Sequence, residues 1–174
     1  SGYNDRRHEC QEALCWLQER LPERRLRSLS DLSPDDLHQL EQTMPEILMM
    51  RARHVIEENA RVLEMVNALE HHDRKTAGKL LFASHASLRD LFQVSTKELD
   101  FLVNWGRESG ALGARLVGGG FGGVTLHLMS KGCAAQYAEQ ITAAYYKAFG
   151  LAATTIEVRP SPGANELSAR EVSP

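Results

Sequence analysis

The stretch LVGGGFGGVTLHLM, residues 116–129, spells the pattern GxGxxG at Gly118, Gly120 and Gly123, with Gly119 and Gly122 as extra glycines and Phe121 as the one side chain inside the run. Backbone without a Cβ lets an anion or another backbone come close to amide groups, so these residue types at this spacing could cradle a phosphate. The dinucleotide fingerprint carries that meaning only where a strand precedes it and a helix follows, because the pyrophosphate rests on the amides of that helix's first turn. Here the following element is wrong. From Val124 the chain alternates, with Val124, Leu126 and Leu128 on one side and Thr125 and His127 on the other, which is the period of a strand. Residues 114–117 are also short and strand-like, so the glycines join two antiparallel strands. Such a connection needs only one or two glycines for positive φ. Five of them around a single Phe leave two readings open, a glycine-rich hairpin without a ligand or a loop that another backbone, or a phosphate on one, approaches closely.

The other residues able to do chemistry do not assemble into a centre by spacing. His8 with Cys10, and His71 next to His72, lack the paired spacing of a zinc site and read as exposed residues at helix ends. Cys10, Cys15 and Cys133 are odd in number and show no CxxC, which fits reduced thiols and a cytoplasmic protein. Asp35 and Asp36 read as first-turn charge that complements a helix dipole. His54 and His85 fall on helical segments with no identifiable catalytic partner. No triad, paired-carboxylate centre or Walker motif can be built from the spacing.

The elements that must hold the glycine stretch follow from periodicity. Cys10, Ala13, Leu14, Leu17 and Leu21 recur on one face of a helix over about 5–21, which Pro22 terminates. Ser33 before Pro34 starts a short helix reaching about Thr43, and Pro45 opens a long one with a stripe of Ala52, Val55, Ile56, Leu63 and Val66 and a Glu57–Arg61 pair. The polar stretch 70–75 breaks it. A fourth helix carries Ala77, Leu80, Leu81, Ser84 and Leu88, and Ser95 with Glu98 forms a capping box for a fifth. After the glycine hairpin, a helix over about 131–149 is closed by Gly150, and ATTIEVRP, residues 153–160, reads as a third strand. A run of helices followed by strands flanking a helix predicts an α+β domain, a small antiparallel sheet covered by helices. A fourth strand from before residue 1 would complete that sheet, and Ser1 is not an initiator Met; both lead to the expectation of a longer protein.

At 174 residues and 43% hydrophobic composition the chain suits one soluble globular domain. The net charge of −3 leaves no global basic field, which excludes nucleic acid and an anionic membrane surface as expected partners. Arg6, Arg7, Arg20, Arg24, Arg25 and Arg27 are interleaved with Glu9, Glu12, Glu19 and Glu23, as on a solvated helix face. No run of about 18 apolar residues could span a bilayer, and no signal-peptide core stands at the N-terminus.

Three separate stretches and the glycine run together resemble one family. SGYNDRRHEC, residues 1–10, is similar to the SxYNxRRxxC signature of galactokinases. RARHVIEENARV, residues 51–62, and SHASLRDLFQVSTKELD, residues 84–100, resemble that family's RAxHVxxExxRV and SHxSLRxxxxVSxxELD segments. GARLVGGGFGGVTLHL, residues 113–128, is similar to the third conserved motif of the wider GHMP kinase superfamily of sugar and small-metabolite kinases. Val124 departs from it, standing where many relatives carry Cys.

The resemblance covers residues 1–164 and leaves 165–174 as a polar tail. It implies the superfamily's C-terminal domain, a ferredoxin-like two-layer fold, and an ATP-dependent sugar 1-kinase that converts galactose to galactose 1-phosphate. It further implies that Tyr3 lines the sugar site, that Gly118, Gly119, Gly120, Phe121, Gly122 and Gly123 support the phosphate loop of an N-terminal half, and that Phe121 plugs the junction between halves. The counterparts of RVNLIGEH and GLSSSA, the catalytic Asp and its Arg partner are absent from this sequence. Phosphoryl transfer needs positioned phosphates, Mg²⁺ and a base or charge clamp. The expectation is therefore that this chain alone holds neither ATP nor Mg²⁺, has no catalytic residue or metal site of its own, and works with its own N-terminal kinase domain and galactose or a related sugar. A non-catalytic sugar- or nucleotide-responsive module of the same fold is the alternative, and a superfamily kinase for another sugar, such as N-acetylgalactosamine or arabinose, a third.

Overall fold

In the computed structural model, which describes residues 2–38, 40 and 43–159, helices make up most of the chain. The residues 165–174 and Pro160 lie outside the described residues. Helix α1 (Gly2–Arg20) buries Ala13, Leu14 and Leu17, the stripe expected of it, and begins a little earlier than its periodicity indicated. Two 3₁₀ turns follow, Pro22–Arg24 and Leu29–Asp31. Helix α2 (Pro34–His38) is shorter than its predicted reach to Thr43. Asp36 accepts hydrogen bonds from the Ser33 N–H at 2.9 Å and the Ser33 hydroxyl at 2.7 Å. Those bonds, with the Arg24 guanidinium, push its carboxyl down to about 2, so Asp36 ties the helix start together as well as complementing the dipole. Leu26, Leu29, Leu32 and Leu37 then close with α1 and the first half of α3 (Glu46–Glu70), through Met49, Ala52 and Ile56, into the largest apolar core.

The second half of α3 behaves differently. Its expected stripe continues into Leu63 and Val66, but these stand 68% and 48% exposed, and Val62 and Leu69 join them at the surface. Asp73 accepts from the Thr76 N–H at 3.0 Å and starts α4 (Arg74–Asp90). Helix α5 (Lys97–Glu108) is capped by Thr96 rather than by Ser95. Ser95 donates instead to Asp100 in the first turn of the same helix at 2.6 Å, a local bond that displaces the cap by one residue.

Strands β1 (Gly113–Val117) and β2 (Val124–Leu128) pair antiparallel, with Val117 opposite Val124 and Gly113 opposite Leu128. Helix α6 (Ala134–Phe149) buries Tyr137 and Ile141 and ends at Gly150, whose φ of 67° is the left-handed cap expected of it. The predicted third strand does not form: residues 151–159 are irregular, with Ile156 81% and Val158 67% exposed. Alternation alone does not make a strand, which needs a neighbouring edge to receive its hydrogen bonds. The fold is thus α+β, helix-rich, with a two-stranded sheet.

Helix α4 covers the outer edge of β1. At Gly78 and Gly113 the backbones touch, since a Cβ on Gly78 would stand 1.9 Å from the Leu112 carbonyl oxygen. Seven residues farther along the helix and three along the strand, distances of about 10 Å in each, the Leu116 N–H donates to His85 Nδ1 at 3.2 Å. That places the His85 proton on Nε2, which donates to Asp100 at 3.1 Å. A strand edge that would otherwise be open is satisfied by a histidine. The β2 strand keeps its alternation with the polar side inward. His127 meets the Tyr137 hydroxyl at 2.6 Å and Thr125 at 2.8 Å, while Val124 and Leu126 are exposed.

Burial pushes His54 and His127 down to about 4 and lowers His85 despite the Asp100 carboxylate. Unfolded, each histidine takes up its proton near 6.5; folded, the first two resist until about 4. The unfolded chain therefore binds more protons in that interval, and stability, full above pH 6.5, is lost as pH falls toward 4 by up to about 1.4 kcal/mol per pH unit for each histidine. Carboxylates held low, such as Asp36, act only at more acidic pH. Denaturant midpoints measured from pH 8 to 4.5 should fall below pH 6.5, and less steeply in His54→Gln; a level midpoint over that range would contradict the buried neutral histidines.

Candidate functional site

The glycine loop, residues 118–123, is largely exposed but is anchored to the chain at Gly120 and Phe121. Phe121 donates its N–H to the Val94 carbonyl at 2.7 Å, and a Cβ on Gly120 would stand 2.3 Å from that same oxygen. Gly118, Gly120, Gly122 and Gly123 all have positive φ, and Phe121 shares that conformation at 60°. A left-handed Phe is strained, and the Val94 hydrogen bond holds it there. Close approach is therefore real at Gly120, and the occupant is the chain's own loop between α4 and α5. Gly118, Gly122 and Gly123 differ: no heavy atom lies within 4 Å of the place a Cβ would take, so their backbone is bare to the outside.

The loop tip lies across the first turn of α1. A Cβ on Gly2 would meet the Phe121 ring at 2.5 Å, and one on Gly119 would stand 3.5 Å from the Tyr3 ring. The structure thus brings Tyr3 together with the glycine loop, although 116 positions and more separate them in sequence. Tyr3 is 59% exposed and Phe121 48%, so neither is a core residue, and Phe121 acts as a cover over Gly2. On the other side of the loop, Gly122, Gly123 and Phe121 line a cleft of about 200 Å³ with Thr96, Leu99 and Tyr145. Glu98 is the only charged side chain among the described residues lining it, and a carboxylate does not hold a phosphate.

Behind this face stands a polar network that the sequence reading missed. Arg51, 1% exposed, donates through Nε to Glu9 of α1 at 2.5 Å, through one terminal nitrogen to the Leu91 carbonyl, and through the other to Gln93 Oε1 at 2.8 Å. Glu9 also accepts from Arg6 at 2.9 Å, and Arg6 reaches the Phe92 carbonyl at 3.3 Å. His54, one turn from Arg51, is hydrogen-bonded to Ser87 at 2.8 Å and stacked on Phe92 with ring centroids 4.3 Å apart. Glu58 accepts from Ser84, from Arg61 at 2.7 Å and from Arg115 at 2.9 Å. Burial pushes the Glu58 carboxyl up, but Ser84 and the two guanidinium groups outweigh it and leave it below its usual range. Polar residues of segments 51–62 and 84–100 thus pair with one another, Arg51 with Gln93, His54 with Ser87 and Glu58 with Ser84, and Glu9 and Arg115 join them from outside. Their signal in the sequence was the excess of polar side chains on otherwise apolar helix faces, too weak to reveal who pairs with whom.

The remaining histidines and cysteines form no centre: no grouping of three His, Cys, Asp or Glu that could hold a metal exists among the described residues. Cys10, Cys15 and Cys133 are free thiols. None of the described helices is long and apolar enough to cross a membrane.

Comparison with known proteins places this geometry in context. Residues 65–147 match the family model for the GHMP kinases C terminal. The chain is 44% identical over 168 residues to a galactokinase of Thermotoga petrophila, an alignment covering 96% of this chain and 45% of the relative. It is 42% identical over 168 residues to a galactokinase of Roseiflexus sp., with 96% and 42% covered. Among solved structures, that of Lactococcus lactis galactokinase complexed with galactose superposes with a TM-score of 0.81 at 34% identity, over 87% of this chain and 39% of that one. The chain spans less than half the length of these relatives.

The loop geometry separates two glycines that look alike in sequence. Both Gly118→Ala and Gly120→Ala incur the left-handed penalty of about 1–2 kcal/mol, but only Gly120→Ala also drives a methyl into the Val94 carbonyl, at a further cost of about 1–3 kcal/mol. Urea unfolding of the two variants should show that gap; equal losses would mean the loop does not rest on Val94.

Proposed function

From the premise that this chain carries the C-terminal domain of the GHMP kinases, we propose that it is the C-terminal half of an ATP-dependent sugar 1-kinase acting on galactose. One observation carries the reading: the glycine loop lies against the first turn of α1, so that the exposed Tyr3 stands beside Gly119 at one side of the loop while the bare backbone of Gly122 and Gly123 opens onto the cleft at the other. Phosphoryl transfer asks little covalent chemistry of the protein and much positioning. A half that offers one sugar-facing aromatic and a glycine surface suits that demand. Tyr3 presents a flat apolar ring and a hydroxyl to a hydroxyl-rich ligand.

In this reading residues 1–164 form the domain and the other half brings the phosphate loop, the catalytic carboxylate, ATP and its Mg²⁺. The residues here fit the approach of such a loop, since no Cβ stands in its way at Gly118, Gly122 or Gly123. They do not fit phosphate by themselves, because the charge beside the loop is the carboxylate of Glu98. Cations and metal then have to come from across the cleft. Val117, Val124 and Leu126, exposed between 41% and 62%, and the surface residues of the distal α3 supply an apolar face for that half to cover. Galactose C1 hydroxyl oxygen forms the new bond to the γ-phosphorus, the bond from that phosphorus to the β–γ bridging oxygen breaks, ADP leaves, and the hydroxyl proton passes to a base of the other half.

The test uses the whole reading frame that contains this chain. Galactose-dependent ADP formation is expected, and Tyr3→Phe should lower kcat/KM for galactose about tenfold, the worth of one sugar hydrogen bond, while the KM for ATP stays within twofold. No galactose-dependent ADP release would reject the kinase reading in favour of a binding module, and unchanged galactose kinetics in Tyr3→Phe would remove that residue from the site.

A further inference from the structure

The kinase reading leaves Arg51 without a role, although it is the largest fully buried side chain among the described residues. Its three partners sit on two separate supports. Glu9 belongs to α1, the helix whose first turn carries Tyr3. Leu91 and Gln93 belong to the connection between α4 and α5, whose next residue, Val94, carries the glycine loop on its carbonyl. Gln93 adopts a left-handed conformation at φ 57°, which turns its side chain toward the guanidinium and passes the chain on to Val94. Arg6 repeats the link one turn earlier, from Glu9 to the Phe92 carbonyl. Two polar links therefore join the α1 support to the glycine-loop support, one from Glu9 through Arg51 and one from Arg6 directly to the Phe92 carbonyl, and Arg6 and Arg51 share Glu9.

Resting on the proposed function, we infer that Arg51 is a positioning residue that, with Glu9 and Gln93, sets the placement of Tyr3 relative to the glycine loop, and so aligns the sugar hydroxyl with the phosphate held across the cleft. The planar fork of the guanidinium suits the task, because three donors in fixed directions define an orientation that a lysine ammonium does not. Arg51 touches neither substrate. Its contribution is alignment, to which phosphoryl transfer is sensitive: a displacement of about 1 Å can cost about a hundredfold in rate.

The experiment is a double-mutant cycle in the whole protein. Arg51→Lys tests the fork directly but risks unfolding, since it disturbs a buried charge. Gln93→Gly is the safer partner: it removes one Arg51 contact, and glycine accepts the φ of this exposed position without strain. Gln93→Gly is expected to lower the melting temperature by a few degrees, through the donor it leaves unpaired, and, assayed well below that temperature, to lower kcat about tenfold with the KM values for galactose and ATP within threefold. In a Tyr3→Ala background the same substitution should cost less than twofold, because the ring it positions is gone. A tenfold loss in both backgrounds, or no loss in either, overturns the inference while leaving the kinase reading intact. A wild-type protein without galactose-dependent ADP release overturns both.

Discussion

A single guanidinium, removed almost wholly from water, constrains much of this domain. Taking the Arg51 charge out of solvent costs several kcal/mol unless it is paired and its remaining donors are satisfied. Its partners come from α1, on one side, and from the α4–α5 connection, on the other. Burying the charge is tolerable only when all of these are in place at once. The apolar core under α1 holds the helices together, but hydrophobic contact is non-directional and would allow them to slide. The fork of Arg51 sets the angle, and the loops beyond it inherit that setting.

From this follows a division of labour between the two sides of the glycine loop. Toward the protein, Gly120 and Phe121 are held on Val94, which is itself buried with Leu88, Leu99 and Leu116. Toward the outside, Gly118, Gly122 and Gly123 offer bare backbone, and Tyr3 an exposed phenol. A rigid rear and an open front are what a surface needs if it is to meet another surface without rearranging. The inverted polarity of β2 belongs to the same arrangement. Tyr137 and Thr125 satisfy His127 inside the domain, where Gly106 leaves it room, and the apolar residues of the strand are left facing out.

Much of the secondary structure was legible in the sequence. The stripes of α1, the first half of α3 and α4, the helix α6 with its Gly150 cap and the antiparallel hairpin around the glycines all follow from local period and turn chemistry. Three expectations failed, two of them for reasons outside that locality. Residues 153–159 alternate like a strand and pair with no edge among the described residues. Ser95 resembles a cap and is drawn away by Asp100. Leu63 and Val66 keep helical spacing while their face has no neighbour among the described residues. Of the candidate site, the residue types were visible and the glycine loop could be told from a dinucleotide fingerprint, but the resting of that loop on Val94 and Gly2 could not be foreseen.

The sequence by itself determined the classes of element, the hairpin and the positions free of side chains, because helix and strand periods and the φ of glycine are decided within a few residues. Only the tertiary structure decided who satisfies whom. Arg51 finds Glu9 and Gln93 each 42 positions away, His54 finds Ser87 at 33, and Leu116 finds His85 at 31. A polar side chain on an apolar face shows that it needs a partner and carries no periodic mark of which one. That choice is made when the elements pack, since a buried donor or acceptor left unpaired costs more than its hydrogen bond returns, and the packing retained is the one that leaves few of them alone.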